Sequence, residues 1–137
     1  MDKYILDSCA LLAHVYDETG ADIVETLIDK ASTGMITVYI NKLNLYEAYY
    51  DVLRSVGLKE AEQLYKEIQI SPIKIIDGIS DHVFRKAALL KTRYRISLAD
   101  SIALGESFAA GTRIVTSDHH EFDIIEENED IDFLWIR

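Results

Sequence analysis

The sequence predicts an α/β protein, an α/β/α sandwich around a central parallel sheet of about five strands. Two observations lead there. Short, β-branched apolar runs alternate with longer segments of helical periodicity along the whole chain. The segment 95–118 also reads as a slim helix that passes straight into a short strand, a helix–strand unit of such sheets. With 137 residues, 49% of them apolar, the chain is expected to form a single domain, 1–137, with a real core.

Taken in order, Tyr4-Ile5-Leu6 is a strand ending on Asp7. A short helix over 10–16 follows, then, after Gly20, a longer one to about Ala31. In that helix Ile23, Val24, Leu27, Ile28 and Ala31 recur at helical spacing. Met35 to Ile40 is the second strand. Asn41 is a plausible N-cap for a helix reaching Val56, and Leu58 to Ile68 is a further amphipathic helix. Pro72 breaks the chain before the strand 73–76, and Asp77-Gly78 is a turn signal. A helix over 81–94 carries Val83, Ala87, Leu90 and Tyr94 on one side. The next helix starts at the N-cap Ser97 and stops at Gly111, and the strand 113–116 follows it. A polar loop, a helix near 122–127 and a last strand, 131–136, complete the series.

Composition narrows the function. No apolar run approaches membrane-spanning length, and Met1-Asp2-Lys3 leads directly into a strand, so neither signal peptide nor anchor is expected. Cys9 is the only cysteine, which rules out an internal disulfide and fits a reducing cytoplasm. The formal charge of −10 argues against nonspecific adhesion to nucleic acid or anionic lipid. It leaves room for a nucleic-acid enzyme, because acids gathered around a cation inflate the count.

Four acids stand at informative places, each with an ordinary reading beside the functional one. Asp7 ends a strand and can equally cap the helix after it. Glu47 lies on a mixed helix face, where single acids are usually solvated. Asp100 fits a capping box, Ser97-Leu98-Ala99-Asp100, yet shares a helical face with Ala103, Leu104 and Ser107. Asp118 closes Thr-Ser-Asp, a normal turn composition. Parallel topology joins them. Strands ending at Asp7 and Asp118 put both carboxylates on one sheet edge, where helices that follow strands begin, within reach of Glu47 and Asp100. Unit charges 4 Å apart repel by roughly 4 kcal/mol at an effective dielectric of 20, so such a cluster needs protonation or a cation. Oxygen ligands without His or Cys select hard ions, Mg²⁺ or Mn²⁺.

Ile-Leu-Asp-Ser (5–8), Leu-Tyr-Glu-Ala (45–48), Ile-Ser-Leu-Ala-Asp-Ser-Ile-Ala-Leu (96–104) and Ile-Val-Thr-Ser-Asp (114–118) resemble, in order and spacing, the four acidic motifs of PIN-domain ribonucleases. A small standalone domain of this kind is similar to the VapC-type toxins of toxin–antitoxin pairs. The resemblance implies a Mg²⁺- or Mn²⁺-dependent ribonuclease with Asp7, Glu47, Asp100 and Asp118 as metal-binding and catalytic acids. It implies Ser8 and Thr116 as supporting hydroxyls, and a small antitoxin, RNA and a second copy of the chain as partners. Cys9 and the His119-His120 pair depart from the commonest pattern.

Other residues have plainer readings. Cys9 carries no catalytic-thiol motif and is expected to pack as a small apolar residue. His119-His120 is expected in a surface loop, and Asp123 either joins the acids or caps a helix. Arg85, Lys86, Lys91, Arg93 and Arg95 form a basic strip before Asp100, either a solvated face or a track for an RNA backbone. Two rival functions stand beside the nuclease. One is a receiver-like phosphoacceptor module, which Asp77 and Thr116 fit but the single acid after the first strand does not. The other is a PIN domain that only binds RNA or a partner.

Overall fold

Along β1 (Asp2–Leu6) the side chains alternate between two faces: Tyr4 and Leu6 enter one apolar cluster and Ile5 another. A central strand buried on both sides needs layers above and below it, and the chain supplies them. In the computed structural model, which describes residues 2–137, β1 pairs in parallel with β2 (Ile36–Asn41) and with β4 (Arg113–Thr116). Edge strands β3 (Lys74–Ile76) and β5 (Phe133–Trp135) complete a five-stranded, all-parallel sheet ordered β3-β2-β1-β4-β5.

One layer holds α1 (Ser8–Val15), α2 (Ala21–Ser32), α3 (Lys42–Ser55) and α4 (Leu58–Ile70). Ala10, Leu11, Val24, Leu45, Ala48, Val52 and Leu64 pack there against Leu6, Val38 and Ile40. On the other face α6 (Leu98–Ala110) and α7 (His119–Asn128) bring Ala103, Leu104, Phe122 and Ile125 to Ile5 and Ile114. Outside α6 lies α5 (Asp81–Arg93), whose Val83 and Ala87 meet Ile102. This is the expected α/β/α sandwich.

The small residues of α6 have a steric reason. A Cβ on Gly105 would lie 3.1 Å from the Val83 carbonyl and 3.3 Å from Ala87 Cβ, so the glycine lets α5 and α6 close together. Ser97 caps α6 through its hydroxyl, which accepts from the Asp100 N–H at 3.1 Å, and Gly111 ends it at φ +64.

The edge strands are shorter than their apolar runs. Ile73 and Ile131 are buried but lie outside the strands, so their apolarity marked burial rather than pairing, whereas Ile136, just past β5, still donates its N–H to the Thr116 carbonyl at 3.1 Å. The expected loop after Asp118 is instead the first turn of α7, which starts at His119. The cause is Asp118, whose side chain accepts from the Glu121 N–H at 3.2 Å and so caps the helix. No helix among the described residues is long and apolar enough to cross a membrane.

Candidate active site

Strand order reverses direction between β1 and β4. The chain builds outward from β1 through β2 to β3, then returns to lay β4 and β5 on the other side. Helices leaving β1 and β4 pack on opposite faces, which opens a crevice at the carboxyl ends of these two strands, the usual ligand position of such sheets. Asp7 ends β1 there, and Thr116 and Asp118 follow from β4.

Asp7 is fully buried. Its Oδ1 accepts from the Ala10 N–H at 2.8 Å, capping α1, and its Oδ2 accepts from the Thr116 hydroxyl. That hydroxyl also accepts from the Asp118 N–H at 3.1 Å. Cap and site are therefore not alternatives for Asp7 and Asp118: each carboxylate caps a helix at the crevice. Ser8, at the start of α1, donates to Glu47 Oε1 of α3. Asn44, one helical turn before Glu47, donates to the Ala99 carbonyl at 3.1 Å and ties α3 to the first turn of α6, next to Asp100.

The electrostatics show how close the acids are. Burial pushes the Asp7 carboxyl up to about 7, against the hydrogen bonds from Thr116 and Ala10, and Asp100 and Asp118 push in the same direction. Asp100 is likewise raised to about 7, first by burial, then by Glu47 and Asp118, with Glu121 adding to them. Cys9 is the other group affected: burial and then Asp7, Asp118, Asp100 and Glu47 hold its thiol firmly protonated. The expected small apolar residue is thus a half-buried neutral thiol at the rim of the cluster.

Among the described residues, no three His, Cys, Asp or Glu side chains stand close enough to grip one ion. A magnesium-like ion requires no such group, since it is held through one or two carboxylates and keeps several waters. The donors are hard oxygens, and Asn44 Oδ1 lies buried between α3 and α6 without a hydrogen-bond partner. The residues present therefore fit Mg²⁺ or Mn²⁺, with Asp7 and Asp100 as the buried pair and Glu47 and Asp118 at the half-exposed rim.

Other expected site residues lie elsewhere. Lys86 and Arg93 both bind Glu129 (3.3 and 3.2 Å), one residue past the end of α7 and about 15 Å of helix from its Asp118 cap. Lys91 donates to the Ile96 carbonyl at 2.8 Å. Arg85 and Arg95 are exposed and have no ion pair among the described residues. Asp123 turns away to His119 at 2.8 Å, and the His119 ring stacks on Trp135 at 3.8 Å between centroids, so neither joins the acids. Asp77, the receiver-like candidate, is exposed and pairs with Lys42 at 3.6 Å. Sequence reasoning missed two contributors, Asn44 and Glu121. Spacing offered a signal for each: Asn44 precedes Glu47 by one turn, and Glu121 follows Asp118 by three residues, the capping-box interval.

A fold and acidic crevice of this kind define a PIN domain. The PIN domain family model matches residues 4–128, nearly the whole chain, and the chain belongs to that family. No curated protein matches it in sequence. Solved structures similar in fold include VapBC2 from Rickettsia felis bound to a DNA fragment from its promoter, with TM-score 0.74 at 17% identity, covering 96% of this chain and 97% of that one. DNA-bound VapBC from Salmonella typhimurium gives 0.74 at 16%, with both chains covered in full. VapC20 from Mycobacterium tuberculosis, a toxin that cleaves the sarcin-ricin loop, gives 0.67 at 10%, with 91% and 95% covered.

Proposed function

We propose that the chain is a Mg²⁺- or Mn²⁺-dependent endoribonuclease, the toxin of a type II toxin–antitoxin pair, acting in the cytoplasm as one domain that forms a homodimer. The observation that carries this reading is the convergence of Asp7, Glu47, Asp100 and Asp118 from four separate elements on one crevice, where burial lifts Asp7 and Asp100 to about 7 and the neighbouring acids push the same way. Proteins keep such mutual repulsion at functional sites. The likeness to toxin–antitoxin complexes supports an antitoxin partner, which would cover the acids with an Arg or Lys.

In this reading the buried pair Asp7 and Asp100 supplies ligand oxygens, and the Thr116 hydroxyl fixes Asp7 in one orientation. Ser8 does the same for Glu47 and leaves Oε2 without a hydrogen bond among the described residues, placed to accept a proton from an attacking water. A divalent ion held here would activate that water and neutralise charge on the leaving oxygen. Incubating single-stranded RNA with the purified protein tests the proposal. Cleavage should require Mg²⁺ or Mn²⁺, stop with chelator, and fall by about two orders of magnitude or more in Asp7→Asn. Undiminished cleavage by wild type in chelator would contradict it.

A further inference from the structure

Tyr46, Glu47, Tyr50 and Arg54 recur at three- and four-residue spacing on α3 along a side that the core leaves open, while Leu43 at the head of the same face packs against the cluster of Val83, Ala87 and Ile102. Tyr46 is 61% exposed and Tyr50 42%, large apolar surface for residues with no core to fill. Their rings lie 5.9 Å apart at 36°, and the Arg54 guanidinium stands 5.7 Å from the Tyr50 ring. Opposite them, exposed Leu98 and the first turn of α6 close a pocket of about 270 Å³. The one charged group in its wall is Glu47, so whatever enters this pocket lies beside the acid cluster.

Charge decides what fits. A phosphate here would face Glu47 on a chain of net charge −10, while Lys86 and Arg93 are already paired with Glu129. An unpaired nucleobase is neutral and presents flat faces to aromatic rings, and stacking of this kind does not depend on basic residues. Resting on the ribonuclease reading, we propose that this pocket is a base-stacking subsite: Tyr46 and Tyr50 hold an unpaired base of the RNA beside Glu47 and so place the adjoining phosphodiester at the acids. The protein then selects single-stranded RNA over duplex, whose bases are already stacked.

The experiment measures binding apart from cleavage. Fluorescently labelled short single-stranded RNA of random sequence, and the same length as a duplex, are titrated with Asp100→Asn protein carrying Tyr46→Ala, Tyr50→Ala, Tyr46→Phe or Tyr50→Phe, over a range of salt. Each alanine should weaken single-strand binding by about 5- to 100-fold, while phenylalanine retains it. The line of log affinity against log salt should drop without changing slope, because no phosphate contact is lost. Duplex binding should not change. Unchanged single-strand affinity in both alanine variants overturns the subsite, as does a changed salt slope. Loss of antitoxin binding with RNA affinity intact would assign the pocket to a peptide and also overturn it. The ribonuclease reading is checked separately: if Tyr variants bind normally while wild type still cleaves with metal, only the subsite falls. If wild type neither binds nor cleaves RNA, both fall.

Discussion

The Thr116 hydroxyl donates to Asp7 Oδ2, and through the N–H of Asp118 that it also accepts, one side chain on β4 sets the position of two acids. Thr116→Val keeps the shape and removes both bonds. Asp7 then loses a group that lowers its pKa and rises further, and the Asp118 N–H loses its acceptor. The expected cost is about 1–3 kcal/mol in denaturant unfolding. Mn²⁺ affinity at neutral pH should also weaken by about tenfold, one such bond's worth, while Thr116→Ser keeps most of both. Equal affinity in the valine variant would show that Thr116 does not support the site.

Stability of the ion-free protein should depend on pH with an unusual sign. Asp7 and Asp100 titrate at about 7 in the folded chain against 3.8 when free. A raised carboxyl pKa means that the folded state holds the proton more tightly, so the stabilising contribution is full below about pH 4 and lost as pH rises through about 7. The titratable groups that act on them are all acidic: Asp100 and Asp118 on Asp7, and Glu47, Asp118 and Glu121 on Asp100. Each acid alone would cost up to about 4 kcal/mol when ionised. Glu129, lowered chiefly by Tyr94 and also by Lys86, acts the opposite way and only below its ordinary 4.5. Melting temperature in chelator should therefore fall between pH 5 and 8, and saturating Mn²⁺ should cancel the fall. A melting temperature that rises across this range would contradict the buried acidic pair.

Much of this arrangement is legible in the residues. Alternation of β-branched runs with helical periods specified the five strands, and Ser97, Asn41 and Gly111 marked helix ends because capping chemistry is local. The four acids were recognisable as an ordered set, although each alone also fits a cap or a turn. Asp118 shows why the ordinary reading was incomplete: it is an N-cap and faces the crevice as well. What the sequence hides is contact between distant segments. Nothing near Lys86 or Arg93 announces Glu129, 43 and 36 positions away. Nothing near Cys9 announces that three other elements bring acids up to it.

The basic strip should act through Arg95. Lys86 and Arg93 are partly neutralised by Glu129, whereas Arg95 is exposed just ahead of the Ser97 cap. Arg95→Ala should flatten the salt dependence of RNA binding by about 0.7 of slope, the value for one phosphate on a single strand. Arg93→Ala should change it less and still leave Glu129 paired, since Lys86 and the Tyr94 hydroxyl hold the same carboxylate. A larger slope change in Arg93→Ala than in Arg95→Ala would place the RNA backbone along Glu129 instead.

The central claim is that Asp7 and Asp100, with Glu47 and Asp118, form one divalent-cation site. Calorimetric titration with Mn²⁺ of wild type and Asp100→Asn tests it most directly. Losing one of two buried ligand carboxylates should weaken binding by about 10- to 100-fold, in the range seen when groups around a metal are altered. It should also lessen the proton release that accompanies binding near pH 7, leaving only the share from Asp7, because both carboxyls are raised to about 7. Equal Mn²⁺ affinity in the two proteins would contradict the site.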